Sequence, residues 1–328
     1  MATALAWMRA GRKVALATVI STWGSAPRPK GSLLAVRDDG LFEGSVSGGC
    51  IEGAVVIEAL EALKNLKPKT LTFGVSNEQA WSAGLACGGE ISVLVEPAGE
   101  EKRAALQTLF AHLQKGEAVA FATHVASGDS LVLTEDDEGP LAAAAAMALA
   151  AESPAAAEIG GKTYFINMFP PPRRLYLVGA VHIAKELIPL AAAAGYAVTV
   201  IDPRGAFADK ERFANVRVLE DWPDDVLAKE KPDPRTAIVT LTHDPKLDDA
   251  ALKVALRSPA FYIGSLGSGK THAARKARLA KLGFSDEEIA RVHGPVGLGI
   301  GAATPFEIAL SILAEITAVR RLRPDTGT

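Results

Sequence analysis

Residues 175–204 read LYLVGAVHIAKELIPLAAAAGYAVTVIDPR. An apolar run at 175–178 meets a glycine at Gly179, and the residues after it carry apolar side chains at helical spacing. A second apolar run, 197–201, ends in Asp202. Strand, glycine turn, helix and strand, with an acidic residue about twenty positions past the turn, is the pattern of a dinucleotide-type βαβ crossover. Gly179 supplies the tight turn, Ala184 permits close helix–strand packing, and Asp202 is placed to accept hydrogen bonds from a ribose. Val181 stands where a second glycine would let backbone approach a pyrophosphate. Two readings stay open: an NAD(P)-binding turn with a crowded mouth, or a Rossmann-shaped domain that holds no dinucleotide. His182 either packs at its helix start or faces a ligand.

The alternation continues downstream. Strands are expected at 236–241 and 260–263, and helices near 182–194, 246–257, 268–282 and 304–322, which predicts parallel βαβ units. The fold class is α/β, with a C-terminal Rossmann-like domain over 173–328 and a mainly parallel sheet. Upstream, the run Pro170-Pro171-Pro172 favours extended backbone and marks a boundary. The remaining 1–169 form an N-terminal α+β domain. Its strands are expected at 13–22, 32–37, 69–74, 90–96, 117–125, 130–134 and 162–168, and its helices at 51–65, 101–115 and 141–151.

Composition narrows the classes of function. The 328 residues are 48% hydrophobic and 22% charged, with a net charge of −3, so no basic field points to nucleic acid or an anionic membrane. Aromatics at 6% leave few platforms for base stacking. Two cysteines exclude a disulfide scaffold, and no CxxC or compact Cys/His set suggests zinc. The longest apolar run, 141–151, is too short to span a bilayer, and a cytoplasmic location is expected.

Four further places carry chemistry. GSLGSGKT at 264–271 matches a phosphate-binding loop between a strand and a helix, but no apolar strand ending in Asp follows to hold Mg²⁺, so it reads as an anion-holding loop at most. Cys50, in SVSGGC at 45–50, is expected at a helix start, where a thiolate is favoured, and Cys87 precedes Gly88 and Gly89. Each is otherwise a small core residue. His243-Asp244 closes the strand at 236–241, where open α/β sheets bind ligands, or forms a solvated turn. The glycine-dense run from His293 to Ala302 precedes a helix capped by Thr304 with Pro305 in its first turn. It reads as backbone approaching a ligand or as a connecting loop.

Taken together, these segments resemble the XdhC/CoxI family, accessory proteins of xanthine dehydrogenase and related molybdenum hydroxylases. The matching stretches are GSAPRP at 24–29 with Gly31, GSVSGGCIEG at 44–53, CGGE at 87–90, LVGAVHIA at 177–184 and DPR at 202–204. They continue through LTHD at 241–244, IGS at 263–265 and GPVGLGIGAATPFEIALSILAEI at 294–316. The chain departs from the family pattern at Val181, where glycine is usual, and at Gly299, often Asp. The resemblance implies a chaperone that binds molybdenum cofactor, a molybdopterin or its dinucleotide form. Such a chaperone protects the cofactor while a cysteine desulfurase installs its sulfido ligand, then inserts it into an apo molybdenum hydroxylase. Cys50 is then the candidate contact to the cofactor, with Gly48, Gly49, Cys87, Arg28, Gly179, His182, Asp202, His243, Asp244 and Ser265 as further binding candidates. Arg28, Lys30 and Arg204 are placed to neutralise phosphate. A homodimer is the expected assembly, and an NAD(P)-dependent oxidoreductase is the alternative.

Overall fold

The computed structural model describes residues 1–24, 26–74, 89–205, 213 and 216–322. The chain divides into two compact units, Met1–Pro171 and Pro172–Thr328, at the proline run.

The first unit contains two antiparallel sheets. The strands β1 (Val14–Trp23), β2 (Leu33–Arg37), β3 (Phe42–Gly44), β4 (Lys69–Phe73) and β5 (Glu90–Pro97) form one sheet in the order β3-β2-β1-β5-β4. Side chains alternate faces along a strand. Ala15, Ala17 and Val19 of β1 therefore face α2 (Glu52–Asn65), where they pack with Val55, Ala59 and Ala62. Val14 and Leu16 face the opposite way, toward Leu5 and Met8 of α1 (Ala2–Arg9) and Leu106 and Leu109 of α3 (Glu100–Gln114). The second sheet holds β6 (Val119–His124), β7 (Ser130–Leu133), β8 (Ala155–Ile159) and β9 (Lys162–Phe169) in the order β7-β6-β9-β8. Its Ala120, Ala122 and Ile166 pack on the alanines of α4 (Pro140–Ala150).

Two strands of this unit, β3 and β8, fall outside the sequence expectations. The sequence of β8 is AAAEI, which continues the composition of the preceding helix. It becomes a strand because Pro154 interrupts the helix and Ala155–Ile159 pair with Lys162–Ile166 of β9 across a two-glycine turn.

The second unit is a single parallel sheet. Its strands are β10 (Arg173–Val178), β11 (Tyr196–Ile201), β12 (Arg217–Leu219), β13 (Thr236–Thr240), β14 (Tyr262–Ser265) and β15 (Val292–His293), in the order β12-β11-β10-β13-β14-β15. The sheet is wholly parallel among the described residues. The helices are α5 (His182–Ala193), α6 (Pro223–Glu230), α7 (Pro245–Arg257), α8 (Gly269–Lys281), α9 (Asp286–Ala290) and α10 (Pro305–Arg321). Leu175, Leu177 and Val239 pack under α5 and α10, while Tyr176, Val178 and Ile238 pack under α6, α7 and α8. The strands are apolar on both faces because helices cover both, as a parallel sheet demands. The strand order reverses between β10 and β13, the switch point at which doubly wound sheets open a crevice.

Candidate functional site

In the first unit, one end of the five-stranded sheet gathers the motif loops. β1 ends there at Trp23, β2 starts at Leu33 opposite Thr18, β3 ends at Gly44 opposite Leu34, and β5 enters at Glu90 opposite Trp23. The segments 24–32 and 45–51 thus leave the sheet at the same end. Cys87 lies outside the described residues. The 24–32 loop is tied to the second sheet by Asn167, whose Nδ2 donates to the Gly31 carbonyl at 3.1 Å. Arg28 and Lys30 on this loop are exposed.

The 45–51 loop is anchored by two buried apolar residues, Val46 and Ile51, and its tip, Gly48-Gly49-Cys50, is exposed. Between the anchors the chain wraps around the carboxylate of Glu52, which is only 7% exposed. Oε1 accepts from the Ser45 hydroxyl at 2.8 Å and from the N–H groups of Val46 at 3.2 Å, Ser47 at 2.9 Å and Gly48 at 3.0 Å. Oε2 accepts from the Gly49 N–H at 2.8 Å and from the Ser47 hydroxyl. Gly48 and Gly49 lie at φ +81° and +126°, a region that side-chain-bearing residues rarely adopt, and this lets successive N–H groups converge on one point. Burial raises the pKa of Glu52, but the Ser47 and Ser45 donors outweigh it and hold the group at about 2. α2 begins at Glu52 with Ile51 as its N-cap, one residue later than expected, so Cys50 lies outside the helix, and the Glu52 carboxylate turns back onto the loop. Cys50 stands free of the core at the loop tip.

In the second unit, the candidates Gly179, Asp202, Asp244 and Ser265 all fall at or just past the C-terminal ends of adjacent strands. Gly179 has φ +112°, and a Cβ there would sit 2.7 Å from Thr242 Cγ2. Asp202 is fully buried. Its Oδ2 accepts from Ala180 N at 2.8 Å and Arg204 Nη2 at 2.8 Å, and its Oδ1 from Arg204 N at 3.0 Å and Nε at 2.9 Å. Burial raises its pKa, but the Arg204 and Ala180 donors together bring it below the usual carboxylate range. The expected ribose acceptor therefore ties the glycine turn to Arg204 within the chain. Val181 is the N-cap of α5, and His182 is exposed in its first turn. His243 is exposed, and Asp244 caps α7 by accepting from Lys246 N at 2.9 Å. Ser265 is not at the surface: it is fully buried and paired with the Thr240 hydroxyl.

The phosphate-loop-like segment at 264–271 also proves to be structural in its first half. Gly264 lies inside β14, paired with Val239 and His293. A Cβ there would approach the Tyr262 ring at 2.9 Å and Val296 Cγ2 at 2.5 Å, so this glycine serves packing. Only residues 266–268 remain as a turn, and Arg275 Nη2 donates to the Leu266 carbonyl at 2.6 Å. The C-terminal glycine run is likewise held from within. Glu315 Oε2 accepts from Gly297 N at 2.9 Å and from the Tyr262 hydroxyl, and Oε1 lies 3.3 Å from His293 Nδ1.

Comparison with known proteins agrees with this arrangement of segments. The XdhC and CoxI family pattern matches residues 7–74, and the XdhC Rossmann domain pattern matches residues 175–316. The chain belongs to the XdhC and CoxI family. A curated family relative, the molybdenum cofactor insertion chaperone PaoD of Escherichia coli K12, is 29% identical over 95% of this chain and 85% of its own length. A probable xanthine dehydrogenase subunit of Bacillus subtilis 168 is 30% identical over 93% of each chain. A crystal structure described as a xanthine dehydrogenase from Bacillus halodurans superposes with a TM-score of 0.78 at 25% identity, covering 100% of this chain and 97% of that one.

Sequence reasoning passes over the residues that organise both loop sets in this family member. Glu52 lies within the GSVSGGCIEG motif without standing out there, although an acidic residue two positions after an exposed Gly-Gly-Cys turn is a natural partner for the turn's N–H groups. Asp248 gives no signal in the sequence. It is 3% exposed on α7, accepts from Thr242 Oγ1 at 2.6 Å and lies 3.9 Å from Arg275 Nη2. Burial pushes it up to about 6 against the pull of Thr242 and Arg275. Among the described residues no group of His, Cys, Asp and Glu could hold a metal ion, and no helix is long and apolar enough to cross a membrane.

Proposed function

We propose that this protein carries a molybdenum-bearing pterin cofactor as cargo, shields it while a cysteine desulfurase installs its sulfido ligand, and delivers it to a xanthine dehydrogenase-type apo-hydroxylase. The observation that carries the reading is the Cys50 thiol, exposed at the tip of a loop whose backbone is held rigidly beneath it. A soft sulfur ligand suits a molybdenum–sulfur centre. Arg28 and Lys30, on a loop leaving the same end of the sheet, supply positive charge for a cargo phosphate. The names of PaoD and of the B. subtilis relative support a role in molybdenum cofactor maturation. Cys87 is assigned to the same binding function through its CGGE segment.

Gly179, His182, Asp202, His243 and Asp244, at the strand ends of the second unit, are assigned to cofactor binding within that unit. A nicotinamide dinucleotide is the competing occupant. Val181 at the glycine position and the engagement of Asp202 by Ala180 and Arg204 speak against a nicotinamide dinucleotide in the usual Rossmann pose. A cytoplasmic homodimer is the assembly this reading expects. The test is mass analysis of ligand that co-purifies with the protein from cells making molybdopterin. A pterin mass supports the reading, and a nicotinamide dinucleotide in its place overturns it.

A further inference from the structure

The SGG turn has the form of an anion cradle: four successive N–H groups, from Val46 to Gly49, and two serine hydroxyls converge on one point. Cradles of this kind bind phosphate and other oxyanions when they open to solvent. Here the point of convergence holds the carboxylate of Glu52, supplied by the chain itself. Of the other loop N–H groups, that of Ser45 donates to the Leu33 carbonyl at 3.0 Å and that of Ile51 to Ser47 Oγ at 3.1 Å, while Ser45 Oγ also accepts from Gly48 N at 2.9 Å. A charge-assisted set of this size is dislodged by an external anion only at the expense of burying a second negative charge beside the first.

We propose that Glu52 is a positioning residue that fills this cradle from within, so that the loop meets its ligand through the Cys50 thiol and not through the amides of Val46 to Gly49. The inference rests on the cargo reading above and deepens it. The soft, sulfur-bearing end of the ligand approaches the loop tip, and the ligand's phosphate is held by other residues. The family motif then has a division of labour. The glycines at φ +81° and +126° turn the amides inward, Glu52 locks them, and the lock leaves Cys50 outermost.

The experiment uses the full chain and the amide signals of Gly48 and Gly49, with inorganic phosphate and acetate as probes. In the native protein, phosphate is expected to leave both signals unmoved. In Glu52→Ala the two amides should exchange with solvent about tenfold to a hundredfold faster, the factor a lost hydrogen bond to a charged group carries. Acetate or phosphate should then shift them saturably and restore their protection. A merely structural glutamate would not create this anion response. If Glu52→Ala folds only when acetate is present, that rescue supports the cradle directly, and Glu52→Gln, which keeps the volume and one acceptor oxygen, should speed exchange less and show no anion response because the cradle stays filled. A saturable phosphate shift in the native protein, or native exchange rates in Glu52→Ala, overturns the inference. These outcomes are separable from the cargo reading. Undiminished cofactor retention by Cys50→Ser would remove the thiol from function while leaving the amide result intact.

Discussion

Glu52 is held at about 2, against 4.5 for an ordinary glutamate, so the unfolded chain takes up its proton at a higher pH than the native loop does. Its contribution to stability is complete above the unfolded value and is lost as pH falls from there toward 2. The difference corresponds to about 3 kcal/mol. Denaturant unfolding followed from neutral pH to about pH 2 should show the native protein losing about that much more stability than Glu52→Gln across the acid limb. Parallel curves would contradict it. Gly179 makes a second prediction at this scale. Its φ of +112° and the 2.7 Å approach of Thr242 Cγ2 leave no room for a methyl group. Gly179→Ala should destabilise the second unit by about 2 kcal/mol or more, through strain and displacement of Thr242. Thermal unfolding with a native-like midpoint would show that the turn relaxes freely.

Between elements, the first unit depends on a buried ion pair that joins α3 to β5 and β7. Lys102 Nζ donates to Glu96 Oε2 at 2.7 Å and also reaches the Ser130 hydroxyl. Burial pushes Glu96 up and Lys102 down, and their pairing opposes both shifts. Lys102→Met should therefore cost about 3–5 kcal/mol, because it leaves a carboxylate in the core. The Glu96→Gln, Lys102→Met double variant should regain most of that in chemical denaturation. Equal losses in the single and double variants would show that the pair's charge is not the issue. The turn between β14 and α8 has the letters of a nucleotide-binding loop, but its first glycine is inside the strand and accommodates Tyr262. No Mg²⁺-dependent ATP or GTP hydrolysis sensitive to Lys270→Ala is expected in a steady-state phosphate-release assay. Such sensitivity would restore the loop as an NTP site.

Elements also differ in how legible they are in the sequence. Parallel strands buried on both faces read as continuous apolar runs, so β10, β11 and β13 are plain from their residues. Asp202 is marked by its position at a strand end, yet its ribose role is not readable, because Arg204 closes on it only in the fold. Ser265 belongs to a motif, but its hydroxyl turns inward to Thr240. Asp248 and Glu315 lie on helices as one acid among several, and only tertiary packing distinguishes them from solvated neighbours. β8 is hidden by alanine, whose helical preference is overridden by pairing with β9.

Over the whole molecule, each of the two units carries its own candidate site. One contributes a thiol-bearing loop end on an antiparallel sheet, and the other a switch-point crevice on a parallel one. The central claim is that the Cys50 thiol holds the cargo. The direct measurement is the molybdenum and pterin retained per chain after gel filtration of native and Cys50→Ser protein, each made in cells that synthesise the cofactor. Circular dichroism would confirm that both are folded. The account predicts that the folded Cys50→Ser protein loses most of its cofactor and fails to activate an apo-hydroxylase. Retention equal to the native protein, with activation intact, would contradict it.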